Sequence, residues 1–210
     1  MNKVLVYGDS NVWGDNFITG ERIPDDKQWV KIIQKKLKKN YIFFQEGLPG
    51  RIAGNDETVK TYKNGKDSFI SIFRTNAPVN TIIIALGTND LQMKYNKSSK
   101  QIIDDLLWYK EQIEKSYEDL EDRKKYFIEE KMPRIIYILP INFDYKVNAS
   151  VIFNEESETK RQEIINYFSK NNMDIIIPSD MELFEDGIHM NFEGHKKLAN
   201  IVEKELTDNE

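Results

Sequence analysis

Chemistry carried by side chains alone needs a nucleophile, a base, a group that orients the base, and donors for a developing negative charge. This chain has few residues that could fill those roles. It contains no cysteine, which excludes a thiol nucleophile, a disulfide framework, zinc–thiolate sites and iron–sulfur clusters. Its only histidines are His189 and His195, so any proton transfer through an imidazole must use one of them. His189 closes the run Asp186-Gly187-Ile188-His189. A carboxylate three residues ahead of a histidine in a turn can accept from one ring nitrogen, which fixes the tautomer and leaves the other nitrogen as a base. His195 follows Glu193-Gly194 with no acid arranged in that way, and it reads as a structural residue of the last helix.

Three further clusters supply the remaining roles, and each also has a plainer reading. Gly8-Asp9-Ser10-Asn11-Val12-Trp13-Gly14 follows the first apolar run. A serine at such a strand-to-helix turn can project its hydroxyl beyond the sheet, although Asp9 or Ser10 equally suits a helix N-cap. Glu46-Gly47-Leu48-Pro49-Gly50-Arg51-Ile52-Ala53-Gly54 follows the second run. Its glycines let backbone approach a ligand or simply make a turn. The order G-x-G-x-x-G is absent from it, which argues against a dinucleotide site. Gly87-Thr88-Asn89-Asp90 ends the most apolar run, where Asn89 can offer its amide to an oxyanion or close the strand in an Asx-turn. No G-x-S-x-G elbow occurs anywhere in the chain, which disfavours the α/β-hydrolase fold.

The elements that must position these clusters alternate along the chain. Apolar, β-branched runs at Val4–Tyr7, Tyr41–Phe44, Thr81–Leu86, Arg134–Leu139 and Asp174–Ile177 are apolar at consecutive positions, as strands buried on both faces are. Between them lie helical stripes. Trp29, Ile32, Ile33 and Leu37 form the first, and Ile102, Ile103, Leu106, Leu107 and Ile113 the second, after the caps Ser98 and Ser99. Ile164, Ile165 and Phe168 mark a third helix, and Leu198, Ile201, Val202 and Leu206 the last. Alternating strands and helices predict βαβ units and a parallel sheet covered on both faces, with ligands beyond the carboxyl ends of the strands. The charged stretch Tyr109–Lys131 reads as a solvated helix running into a surface connection, and Asn55–Asn76 and Asp144–Glu156 read as loops.

The 210 residues suit one domain, residues 1–210, with a sizeable core. Hydrophobic residues at 40% and charged residues at 31% exclude a disordered chain and a membrane-embedded one. A net charge of −5 and the absence of a basic stripe argue against nucleic acid, since Lys35-Lys36 and Lys38-Lys39 fall on the wet face of a helix. The longest apolar run, Thr81–Leu86, is too short to span a bilayer, and Val4–Gly8 reads as a strand of a cytoplasmic protein.

Taken together, the four clusters resemble the blocks of the SGNH hydrolases, also called the GDSL lipase/esterase family. Gly8-Asp9-Ser10 resembles the first block, Gly50 the second, Gly87-Thr88-Asn89-Asp90 the third and Asp186-Gly187-Ile188-His189 the fifth. The sequence following each of the first two blocks resembles the arylesterase and acyltransferase branch. Asn11 stands where the family name has Leu, a replacement that branch accepts. The resemblance implies a flavodoxin-like, three-layer α/β/α sandwich with a five-stranded parallel sheet. It implies Ser10 as nucleophile, His189 as base and Asp186 as its partner, with Ser10 N–H, Gly50 N–H and the Asn89 side chain forming the oxyanion hole. Gly47 and Gly54 are the other glycines that could donate in place of Gly50. No metal and no cofactor are implied, and the expected partner is a small-molecule ester. A homo-oligomer is compatible with the branch, although the sequence carries no interface signature.

Three activities fit these expectations: a serine esterase, the same machinery passing its acyl group to an alcohol, and a carbohydrate O-deacetylase. A non-catalytic binding module on the same fold is the remaining alternative. The joint presence of Ser10, Asn89, Asp186 and His189 speaks against it.

Overall fold

The β-branched runs form one five-stranded sheet in the computed structural model, which describes residues 1–208. The strands are β1 (Asn2–Gly8), β2 (Tyr41–Gly47), β3 (Thr81–Ala85), β4 (Arg134–Ile138) and β5 (Ile175–Ile176). They lie in the order β2-β1-β3-β4-β5, every pair parallel, with Val4 of β1 opposite Phe43 of β2 and Thr81 of β3. The chain therefore moves outward from β1 in both directions. That reversal opens a crevice between the carboxyl ends of β1 and β3, the place where open α/β sheets bind ligands.

The helices are α1 (Ser10–Trp13), α2 (Trp29–Leu37), α3 (Gly65–Asn76), α4 (Ser99–Glu118), α5 (Leu120–Tyr126), α6 (Glu155–Lys170) and α7 (Phe192–Thr207). Side chains on a strand alternate between faces, and the two cores follow that alternation. Val4, Val6, Ile83, Ile136 and Ile138 pack against Trp29, Val30 and Ile33 of α2 and Leu198 and Val202 of α7. Leu5, Tyr7, Ile82, Ile84 and Tyr137 pack against α3, α4 and α6 through Phe69, Phe73, Leu106, Tyr109, Ile164 and Phe168. The result is the three-layer α/β/α sandwich expected from the sequence. Among the described residues no helix is long and apolar enough to cross a membrane.

Helix starts follow their capping chemistry. Ser98 caps α4 in a reciprocal box with Gln101, which leaves Ser99 as the first helical residue. Asn154 and Ser157 make the equivalent box on α6, and the Asn191 side chain accepts from the Gly194 N–H at the start of α7.

Some expectations need correction. β2 runs on through Gln45, Glu46 and Gly47, because an edge strand is buried only in part and tolerates polar residues. Thus Gly47 belongs to the sheet, opposite Gly8, and not to the loop. β3 ends at Ala85, β4 at Ile138, and β5 is trimmed to Ile175 and Ile176. The segment expected as a loop to Asn76 contains α3, whose Phe69 and Phe73 are fully buried one turn apart. Within Tyr109–Lys131, Tyr109, Ile113 and Phe127 are core residues, so only part of that stretch is a solvated surface.

Candidate active site

Ser10 is the first residue of the single-turn α1, directly beyond β1. The cap role falls to Asp9, whose carboxylate accepts from the Asn11 N–H at 3.0 Å, and Gly14 ends the turn in the left-handed region at φ 88°. The Ser10 hydroxyl is therefore not spent on capping. It lies 3.0 Å from His189 Nε2. On the other side of the ring, His189 Nδ1 lies 2.5 Å from Asp186 Oδ2. The second Asp186 oxygen accepts the backbone N–H groups of Ile188 and His189, at 3.0 and 3.1 Å. The local turn thus locks the carboxylate before it meets the ring.

Electrostatics set the proton's starting position. Burial alone would push the His189 pKa down. The hydrogen bond and charge of Asp186 outweigh burial, and Asp15 and Asp9 add to the effect, so the pKa sits above the ordinary imidazole value. Burial likewise favours protonated Asp186, but the hydrogen bonds from His189 and the two backbone N–H groups hold its pKa below the usual carboxylate range. Asp9 is pushed up to about 6 by burial, against the pull of the Asn11 N–H and of the His189 and Arg51 charges.

Asp15 is a residue that sequence reasoning missed. An antiparallel bridge between Asp15 and Arg22 curls the loop after α1, and Asp15 Oδ2 comes within 4.0 Å of His189 Nε2. Nothing in the spacing of Asp15 advertises this, because the approach depends on that bridge. Asn11 was singled out only as a departure from the family name. Its side-chain oxygen accepts the Met190 N–H at 2.9 Å, which ties the serine turn to the residue after His189.

The glycine loop is anchored to the end of β1. The Leu48 N–H donates to Gly8 O at 3.1 Å. Arg51, almost fully buried, donates from Nη1 to Gly8 O at 2.8 Å and to Glu46 O at 2.6 Å, with its guanidinium 4.1 Å from the Tyr7 ring centre. Asn89 enters from the other side of the crevice. One of its amide hydrogens goes to Arg51 O at 3.1 Å, and its oxygen accepts from Gln92 Nε2 at 2.8 Å. That pairing fixes which end of the amide carries the hydrogens and leaves one N–H to give.

The three glycines differ in what they can donate. Gly47 lies in the ladder, so close to α1 that a Cβ there would sit 2.2 Å from Trp13 N. The Gly54 N–H points to Asp90 Oδ1 at 3.4 Å. Gly50 adopts φ 74°, and among the described residues neither its N–H nor that of Ser10 has a hydrogen-bond partner. Behind this loop, buried Asp90 accepts the Ala53 N–H at 2.7 Å and pairs with Lys97 at 2.8 Å, and Lys97 continues to Asp105 at 2.9 Å. That chain of charges, also missed from sequence, braces the loop from below.

His195 takes no part in this cluster. It is fully buried in α7, its Nδ1 accepts from the Trp29 N–H at 3.3 Å, and burial, helped by the charge of His189, lowers its pKa to about 3, so it stays neutral.

The arrangement couples a hydroxyl, an imidazole and a carboxylate in one line, at the crevice the topology creates. Comparison with known proteins agrees with the fold. The description "GDSL-like Lipase/Acylhydrolase" matches residues 4–202. No curated protein matches significantly in sequence. A carbohydrate acetylesterase from Sinorhizobium meliloti superposes with a TM-score of 0.80 at 19% identity, over 100% of each chain. An inhibitor-bound aryl esterase from M. smegmatis gives 0.81 at 19% identity over 99% of each chain. A lipase/acylhydrolase from Enterococcus faecalis gives 0.72 at 16% identity, over 100% of this chain and 97% of that one.

Proposed function

Since the chain belongs to the GDSL-like lipase/acylhydrolase family and is accordingly a carboxylic-ester hydrolase, we propose that it works through an acyl-enzyme on Ser10, with His189 as base and Asp186 as its partner. The observation that carries this reading is the continuous contact from Asp186 through His189 to the Ser10 hydroxyl. His189 takes the hydroxyl proton as the oxygen attacks the ester carbonyl, and Asp186 stabilises the imidazolium that forms. The unspent N–H groups of Ser10 and Gly50 and the free amide hydrogen of Asn89 receive the oxyanion. The imidazolium then returns its proton to the departing alkoxide. Water, deprotonated by the same ring, releases the carboxylic acid and restores Ser10. An alcohol in place of water would give acyl transfer with the same proton path.

Incubation with a fluorophosphonate probe and 4-nitrophenyl acetate tests the assignment. Ser10→Ala should lose both labelling and turnover while melting like the parent, and full activity in that variant overturns it. Loss of one oxyanion donor, as in Asn89→Ala, should lower kcat by about 10²–10³. Rates on aryl acetates against acetylated xylan separate an aryl-ester preference from the carbohydrate deacetylation named for the S. meliloti neighbour.

A further inference from the structure

A pocket of about 230 Å³ opens beside Gly50 and Gln92, the latter being the residue that orients Asn89. It therefore shares a wall with the proposed oxyanion donors. Lys60, Lys63 and Lys94 line it. Lys63 lies over the glycine loop itself, its ammonium 2.9 Å from where a Cβ on Gly50 would stand. The other two ammonium groups sit over aromatic rings, Lys60 at 5.9 Å from the Tyr62 centre and Lys94 at 4.7 Å from that of Tyr95.

Among the described residues none of these three lysines makes an ion pair, whereas their neighbours Lys66 and Lys97 are both engaged by carboxylates. No acid lines the pocket. Asp56, in the same loop, feels the charges of Lys94 and Lys97 but spends one carboxylate oxygen on the Thr58 N–H and hydroxyl. In a protein of net charge −5, three cations without an ion pair line one cleft, and the nearest carboxylates of that loop, Asp56 and Glu57, face the adjoining groove instead. The opposite flank is acidic, because His189 is faced by Asp186, Asp15 and Asp9. Charge is thus divided about the site, with cations beyond Gly50 and carboxylates around His189.

We propose that the enzyme selects esters carrying a second, anionic group, and that Lys60, Lys63 and Lys94 hold that group while the carboxylates of the other flank repel it. This inference rests on the ester hydrolysis argued above and specifies its substrate class. A charged cleft concentrates counter-ions by tenfold or more, and salt screens the effect.

The test uses matched pairs. On the acyl side, mono-4-nitrophenyl succinate is compared with 4-nitrophenyl butyrate. On the alcohol side, 4-acetoxybenzoate is compared with 4-acetoxybenzamide, and 4-acetoxyphenyl phosphate then distinguishes phosphate from carboxylate. The expected result is that the anionic member of one pair is favoured about tenfold in kcat/KM, mainly through KM, and that the advantage shrinks as salt rises. The combined Lys60→Gln, Lys63→Gln, Lys94→Gln variant should abolish that ratio, and the corresponding triple arginine variant should restore it. Equal rates within both pairs, or a ratio that survives the glutamine variant, overturns the proposal. NMR titration of the Ser10→Ala protein with 4-acetoxybenzoate and 4-acetoxybenzamide provides an arm independent of turnover. If the parent protein neither hydrolyses neutral esters nor takes the fluorophosphonate, the esterase reading fails, and preferential carboxylate binding in the titration still decides the pocket.

Discussion

His189 works between two carboxylates with different duties. Asp186 holds Nδ1, while Asp15 stands off Nε2, the nitrogen that carries the proton in the proposed mechanism. Both raise the pKa of the ring against the effect of burial, and only the neutral ring can accept the Ser10 proton. The acid limb of kcat/KM against pH should therefore have its midpoint above about 6.5, the ordinary imidazole value. Asp15→Asn should move that midpoint downward with little change in the plateau, and an unmoved midpoint would remove Asp15 from the electrostatics. Stability should follow the opposite sign. The fold favours the charged ring, so the contribution of His189 to stability is complete below pH about 6.5 and fades as pH rises through its folded value. The pairing of Asp186 with His189 was legible because it is local, a matter of residues three apart in one turn. The approach of Asp15 was not, because it depends on how a loop bridge curls.

The turn after β1 is secured by its neighbours rather than by its own length. Asn11 fastens it to Met190, and Arg51 fastens the glycine loop to Gly8 O and Glu46 O. Asn11→Leu, which restores the residue usual in the family name, should leave the buried Met190 N–H without a partner and cost about 1–3 kcal/mol of stability. Chemical denaturation measures that loss, and kcat should fall with it as His189 loosens relative to Ser10. The strands and the larger helices could be read from apolar runs and stripes. α3 could not, because Gly65, Ser68, Ser71, Thr75 and Asn76 are weak helix formers and only burial of Phe69 and Phe73 holds it. The same limit applies to Arg51, a basic residue in a glycine-rich loop that looks solvated until the sheet places the Tyr7 ring beneath it.

The sheet divides the interior into two cores, and each supports a different part of the site. The core holding Phe69, Tyr7 and Tyr109 lies under the glycine loop, and the Tyr109 hydroxyl donates to Ala53 O at 2.6 Å. Phe69→Ala should cost about 3–5 kcal/mol, read as a lower melting temperature. The other core joins β1 to α7 and holds the serine turn against the segment that bears His189. The parallel sheet and its two covering layers were legible at this level because alternation of strands and helices leaves few topologies, whereas the order β2-β1-β3-β4-β5 came only with the structure. Which loops would meet over the crevice was not, since the contacts of Asn89 with Arg51 and of Asn11 with Met190 join segments far apart in sequence.

Ser10 and His189 are separated by 179 positions, and the helix that follows His189 shares its packing with the first strand. In the proposed mechanism, the Ser10 hydroxyl therefore leaves the ribosome early and has no base until nearly the whole polypeptide has followed. On that reading, a chain cut short before residue 189 holds the hydroxyl without the imidazole that would activate it.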